Sequence, residues 1–89
     1  MLTREGDTLK VAGPMNIDSV SALLTQSAGM LEGASSVDLA GVTEADSSAV
    51  SLLLEWRRQA QSDALRFTNL PPALKSLAEL YGVADLIPQ

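Results

Sequence analysis

Apolar and polar positions first alternate with a period of two. Leu9 and Val11 stand between Thr8, Lys10 and Ala12, the pattern of a strand with one buried face. Leu2 to Arg4 reads as its partner across the turn-forming trio Glu5-Gly6-Asp7, and Gly13-Pro14 is expected to end the second strand. From Asn16 the period lengthens. Ile17, Val20, Leu23, Leu24, Ala28 and Leu31 follow helical spacing, with Asn16 suited to the N-cap and Asp18 to the first turn. This predicts an amphipathic helix of about three or four turns. Gly33 to Ser36 reads as a loop into Val37-Asp38-Leu39-Ala40, short and apolar enough for a central strand, and Thr43 and Glu44 read as loop residues. A second helix is predicted from about Ser47 to Gln61, and Leu65 to Thr68 as the next strand. Pro71 and Pro72 fit the first turn of a third helix, whose stripe of Leu74, Leu77, Ala78 and Tyr81 closes at Gly82. Val83 to Ile87 suits either a last short strand or a packed tail.

The resulting order, β-β-α-β-α-β-α, calls for an α/β fold: a partly parallel, mixed sheet joined by crossover helices. With three helices enough for one face, the other is expected to be thinly covered. The 89 residues are expected to form one domain spanning 1–89. A chain of that size buries only roughly 60–65% of its unfolded surface, so the core is sufficient but small.

The second helix carries more apolar surface than one buried face requires. At 100° per residue, Leu52, Trp56, Ala49, Ala60, Leu53, Val50 and Leu54 cover roughly 200° of arc, about twice the stripe of a one-sided surface helix. Ser51, Glu55, Arg58 and Gln59 supply the polar remainder, and Arg57 interrupts the arc with a stem suited to snorkelling. Asp46, just before the helix, has the side chain and charge of an N-cap, and Ser47 and Ser48 are ordinary first-turn residues. Helical projection sets Ser47 beside Ser51, Leu54 and Arg58, on the border between the polar side and an apolar edge made by Val50 and Leu54. Asp46, Ser47, Ser48, Val50, Ser51 and Leu54 are therefore the candidate docking residues. A phosphate on Ser47 would add about −1.5 to −2 charges there and bar a partner.

Composition narrows the chemistry. Six Lys and Arg against eleven Asp and Glu give a formal charge of −5, with no basic run, which argues against nucleic acid or anionic lipid as direct ligands. The absence of cysteine and histidine removes disulfides, thiol chemistry, zinc sites built on those residues and imidazole bases. Asp38 and Asp46 lack the lysine and further acids that a carboxylate metal site would need. No nucleophile–base pair or phosphate-cradling glycine loop stands out, so neither an enzyme nor a cofactor is expected. Trp56 and Tyr81 at helical spacing read as core or rim packing. The N-terminal MLTREGDTLK has no apolar signal segment, and no stretch approaches the roughly 20 apolar residues of a membrane span. A cytoplasmic protein without direct membrane insertion is the expectation.

These residues resemble the STAS domain family, found in anti-sigma factor antagonists and at the cytoplasmic ends of sulfate transporters. The likeness runs over nearly the whole chain: Asp7-Thr8-Leu9-Lys10-Val11-Ala12-Gly13, Val37-Asp38-Leu39, Asp46-Ser47-Ser48-Ala49, Leu65 to Asn69 and the final helix. Its most specific part is Asp38-Leu39 followed by Asp46-Ser47-Ser48-Ala49, where the family reads Asp-Ser/Thr-Ser/Gly-Gly and the hydroxyl after the Asp is the regulatory, often phosphorylated position. That position is Ser47 here. The resemblance implies a mixed β-sheet of about four to five strands with helices packed mainly on one face.

Leu52-Leu53-Leu54, the Leu74-to-Tyr81 segment and the Val83-x-x-Leu86-Ile87-Pro88 end are similar to the small stand-alone STAS subunits of phospholipid-transport ABC complexes in Gram-negative bacteria. That similarity implies a non-catalytic subunit bound to the ABC-transporter ATPase, within a complex that includes a membrane permease and a lipid-binding subunit and maintains outer-membrane lipid asymmetry. The alternative it implies is an anti-sigma factor antagonist switched by phosphorylation of Ser47. Ala49 replaces the family's glycine, and its methyl group is expected to hinder close approach of a kinase loop, which tilts the reading toward the transporter subunit.

Overall fold

The computed structural model describes residues 1–60 and 65–87. Its elements are β1 (Leu2–Glu5), β2 (Thr8–Met15), α1 (Val20–Gln26), β3 (Ser36–Ala45), α2 (Ser47–Ala60), β4 (Arg66–Thr68) and α3 (Pro72–Leu80), followed by a 3₁₀ turn over Ala84–Leu86. The predicted order of strands and helices is the observed one. Gln61, the expected end of the second helix, lies outside the described residues.

The four strands form one mixed sheet in the order β1-β2-β3-β4. β1 and β2 are an antiparallel hairpin, while β2, β3 and β4 run parallel. Register and burial agree row by row. Leu9, Val37 and Phe67 lie side by side and are fully buried on the helix face. The adjacent row, Lys10, Asp38 and Thr68, faces the other way, with Lys10 exposed and its neighbours half-buried. All three helices therefore pack on one face, and the opposite face is polar and open.

Two strands run further than the sequence suggests. β2 continues through Gly13-Pro14 to Met15 because the proline lies beyond the reach of β1, whose pairing ends where Met1 exchanges backbone hydrogen bonds with Ala12. A register shift against β3 falls between Gly13 and Pro14, the kind of irregularity that accommodates a residue without an N–H. β3 continues past Ala40 to Ala45, so Thr43 and Glu44 are strand residues. Gly41 permits this. A Cβ there would meet the Val11 carbonyl oxygen at 2.9 Å and the Ala12 Cβ at 3.0 Å, so only glycine lets the two strands approach so closely.

The first helix is shorter than its apolar spacing predicts. Asn16 Oδ1 accepts hydrogen bonds from the backbone N–H groups of Asp18 (3.0 Å) and Ser19 (3.1 Å), and Ser19 Oγ accepts one from Asn16 N (2.9 Å) and donates to Pro14 O (2.8 Å). These local bonds compete with the helix and hold residues 16–19 in turns, so Asn16 is not the N-cap. Ser19 occupies that place, without a side-chain cap bond, and Ile17 is left 72% exposed. The tail is packed: Ile87 is buried after the 3₁₀ turn.

The wide apolar arc of α2 belongs mostly to the core. α2 touches both α1 and α3, and its buried side chains share one core with those of the sheet, so it is enclosed on three sides. Ala49, Val50, Leu52, Leu53 and Trp56 are buried, and only Leu54 and Ala60 remain half-buried. The arc thus measures how many elements enclose the helix, and it is not surplus left for a partner. Trp56 fixes the position of α2 against the end of α1. Its Nε1–H donates to Ser27 Oγ at 2.8 Å, and Ser27 Oγ donates to Leu24 O at 2.9 Å, with both residues fully buried. Ser27→Ala leaves the indole N–H without its acceptor and is expected to cost about 1–3 kcal/mol in urea unfolding. An unchanged midpoint would show that the indole finds another acceptor.

Candidate functional site

The open end of β3 delivers Asp46 to the start of α2. One carboxylate oxygen, Oδ1, accepts the backbone N–H of Ser48 at 2.8 Å, the N-cap bond that the sequence predicts. The other, Oδ2, accepts the backbone N–H of Ile17 at 3.0 Å. Asp46 thereby ties the β2–α1 connection to the first turn of α2, and the Asn16 amide donates to Glu44 Oε1 beside it. The Ile17 bond, followed by that of Ser48, stabilises the ionised form and holds the Asp46 carboxyl below its ordinary value.

Ser47 is the first residue of the helix and is exposed, while Ser48 is half-buried. One turn further on, Val50 is 4% exposed, Ser51 is open to solvent and Leu54 is half-buried. Ser47, Ser48, Val50, Ser51 and Leu54 line one side of a groove of about 320 Å³, and Tyr81 and Val83 line the other. Five of the six candidate residues thus meet in one concavity. Asp46 does not line it but holds its upper end in place. Val50 contributes little surface and is largely a core residue.

Tyr81 and Val83 were not expected in this site. Tyr81 continues the apolar stripe of α3 on a helical wheel, yet α3 ends at Leu80 and Gly82 turns the chain with φ +70°. The tyrosine is therefore 54% exposed at the groove. The signal available in the sequence was Tyr81-Gly82, an aromatic placed immediately before a helix-terminating glycine. Arg58, projected near Ser47, instead pairs with Glu55 and does not line the groove. Ala49 is fully buried, so its methyl group points into the core and does not hinder a partner or kinase approaching Ser47.

Asp38 lies elsewhere. It accepts Asn69 Nδ2 (2.9 Å) and the backbone N–H of Ala40 (2.9 Å), bonds that hold its carboxyl below the ordinary value, the Asn69 contribution being the larger. Eight residues of extended strand separate it from Asp46, on the order of 25 Å, so the two acids do not converge. Among the described residues no cluster of three acids suits a metal ion, and no helix is long and apolar enough to cross a membrane.

A four-stranded mixed sheet with three helices on one face and a serine leading the central helix defines a STAS-type domain. The chain matches the family model described as "Mlab, STAS domain" over residues 1–88, and it belongs to that family. Among solved structures it is similar to the anti-sigma factor antagonist SpoIIAA in its unphosphorylated form. That likeness has a TM-score of 0.70 at 16% identity, covering 98% of this chain and 84% of that one, and it shows the shared fold. No curated protein sequence matches the chain.

The Asp46 bonds make the groove's upper end sensitive to acid. A carboxyl with a depressed folded value contributes stability in full above its unfolded value, near pH 4, and loses it as pH falls through the folded value. Asp46→Ala is therefore expected to lower the thermal midpoint by a few degrees near pH 7, with the difference from wild type closing near pH 2. Midpoints compared at both pH values check this, and a gap that persists in acid would mean that the loss is not one of carboxylate bonding.

Proposed function

We propose that this domain is a non-catalytic accessory subunit that binds and supports the ATPase of a phospholipid-transport ABC complex maintaining outer-membrane lipid asymmetry. In this reading it is cytoplasmic, held at the inner membrane only through the complex with the permease and the lipid-binding subunit. The observation that carries the proposal is the match to the family described as "Mlab, STAS domain" over residues 1–88. The groove gives that membership a physical site: an exposed hydroxyl on a capped helix, flanked by aliphatic and aromatic side chains and lacking any paired acid–base group.

Ser47 lines this face at the start of α2, directly after Asp46. A charge introduced there is favourable to the helix N-terminus, so Ser47→Asp leaves the fold intact. The same charge has to be desolvated when an apolar partner closes over Leu54 and Tyr81, and binding weakens. The alternative, an anti-sigma factor antagonist silenced by phosphorylation of Ser47, uses the same hydroxyl, and the exposure of Ser47 together with the inward-facing Ala49 suits it as well.

Affinity capture of the tagged protein from its native cells, with Ser47→Asp alongside, separates the two. The proposal expects an ABC ATPase and its permease among the co-purifying chains, with the yield reduced at least several-fold in the variant and the thermal midpoint nearly unchanged. Recovery of a small kinase-like anti-sigma factor in their place would replace it with the alternative.

A further inference from the structure

The charges of the chain are segregated along the molecule. No lysine or arginine occurs from Val11 to Trp56 or after Lys75, and these two segments carry eight of the eleven acids. They are also the segments that supply every lining residue of the groove. Because β2, β3 and β4 run parallel, Met15 and Ala45 mark one end of the sheet, and Thr8, Ser36 and Arg66 mark the other. The groove opens at the first end, where α2 begins.

The basic residues lie away from that end. Arg66 pairs with Ser36 at the start of β3, and Lys10 is engaged by Glu5 at 3.2 Å. Arg4 donates to the carbonyls of Gly6, Met30 and Glu32. Arg57 and Arg58 fall in the last turn of α2, about 15 Å along the helix from Ser47, and Lys75 lies about 9 Å back along α3 from Tyr81. The acids nearest the lining residues form an acidic border: half-buried Asp46 precedes Ser47, exposed Glu44 and Asp18 flank the Asn16–Ile17 segment bonded to it, and exposed Asp85 lies two residues beyond Val83. The groove itself holds apolar groups free to be covered, Leu54 and Tyr81 at 54% exposure, and Ile17, 72% exposed, lies next to Asp46 outside the lining.

We propose that the groove takes a protein segment that places an apolar side chain against Leu54 and Tyr81 and flanks it with lysine or arginine facing the acidic rim. This rests on the ATPase reading above and specifies the surface that the ATPase must present. The centre and the rim then have separate effects. Rim charges steer encounter and govern the association rate and its salt dependence, whereas the desolvated centre governs dissociation. Ser47→Asp acts on the groove lining itself, which is desolvated in the complex, so it weakens binding even though the partner is basic.

The test is binding kinetics with the purified ATPase subunit of the phospholipid ABC transporter from the same cells, at about 50 and 300 mM NaCl, where screening lengths differ more than two-fold. Wild type is expected to associate on the order of 10-fold faster at low salt. Asp18→Lys combined with Asp85→Lys is expected to associate near the high-salt rate at both concentrations, with dissociation changed less than about two-fold. Glu32→Lys, an exposed acid beside Arg4 at the far end, serves as the control and is expected to keep wild-type rates. A complex whose association ignores both salt and charge reversal would overturn the inference while leaving the ATPase reading standing.

Failure of the ATPase to bind at all would instead defeat the ATPase reading. The charge rule is then read directly, by titrating the isotopically labelled protein with an amphipathic Leu/Lys peptide and its Leu/Glu counterpart. Amide shifts confined to Ser47–Leu54 and Tyr81–Val83 with the Leu/Lys peptide alone support the inference. An equal or stronger response to Leu/Glu, or none to either, overturns it.

Discussion

The depth at which α2 is buried governs the rest of this structure. The helix is enclosed by the sheet and by the helices on either side, and Ala49, Leu53 and Trp56 retain no exposed surface. Close packing of this kind tolerates little displacement, so the rotation of the helix about its axis is fixed. That rotation decides which residues remain outside. Ser47 and Ser51 face solvent and Leu54 sits at the margin because Leu52, Leu53 and Trp56 have to be inside. The Trp56–Ser27 hydrogen bond adds a directional constraint to the packing, and the Asp46 carboxylate fixes the helix start from the other end.

The groove follows from the same constraint. α3 packs against α2 and stops at Leu80, where Gly82 turns the chain away and leaves Tyr81 and Val83 opposite the first two turns of α2. No side chain of this site is poised for bond-making. None of the lining residues is a base for the serine hydroxyl, and the adjacent Asp46 carboxylate is occupied by two backbone N–H groups. What the site offers is a shape, a small apolar floor and an acidic border, which are the attributes of a recognition surface. Membership of the STAS family accords with that chemistry.

Much of the fold was legible because hydrophobic period and turn chemistry agreed along most of the chain. The strand–helix order, the Asp46 cap and the convergence of Ser47, Ser51 and Leu54 all follow from spacing alone. What escaped depends on tertiary context. Gly13-Pro14 reads as the end of a strand and Thr43 and Glu44 as loop residues, yet the missing N–H of Pro14 is accommodated at a register shift, and Gly41 lets β3 continue where two strands need a residue without a side chain. Asn16 has the composition of a helix cap, but a competing turn with Ser19 claims it. The apolar arc of α2 exceeds what one buried face requires and so points to an interface, because the sequence does not reveal how many elements surround a helix. Periodicity reads Tyr81 as core or rim packing, while the helix end that leaves it exposed at the groove is set by Gly82.

The central claim is that the face built from the first turns of α2 and the end of α3 is where the ATPase docks. Hydrogen–deuterium exchange of the protein, alone and with the purified ATPase subunit, tests this most directly. The account predicts added protection over Asp46–Leu54 and Tyr81–Val83, with little change across the open sheet face around Lys10, Ala12 and Ala40. Protection confined to that sheet face would contradict it and move the binding surface to the other side of the molecule.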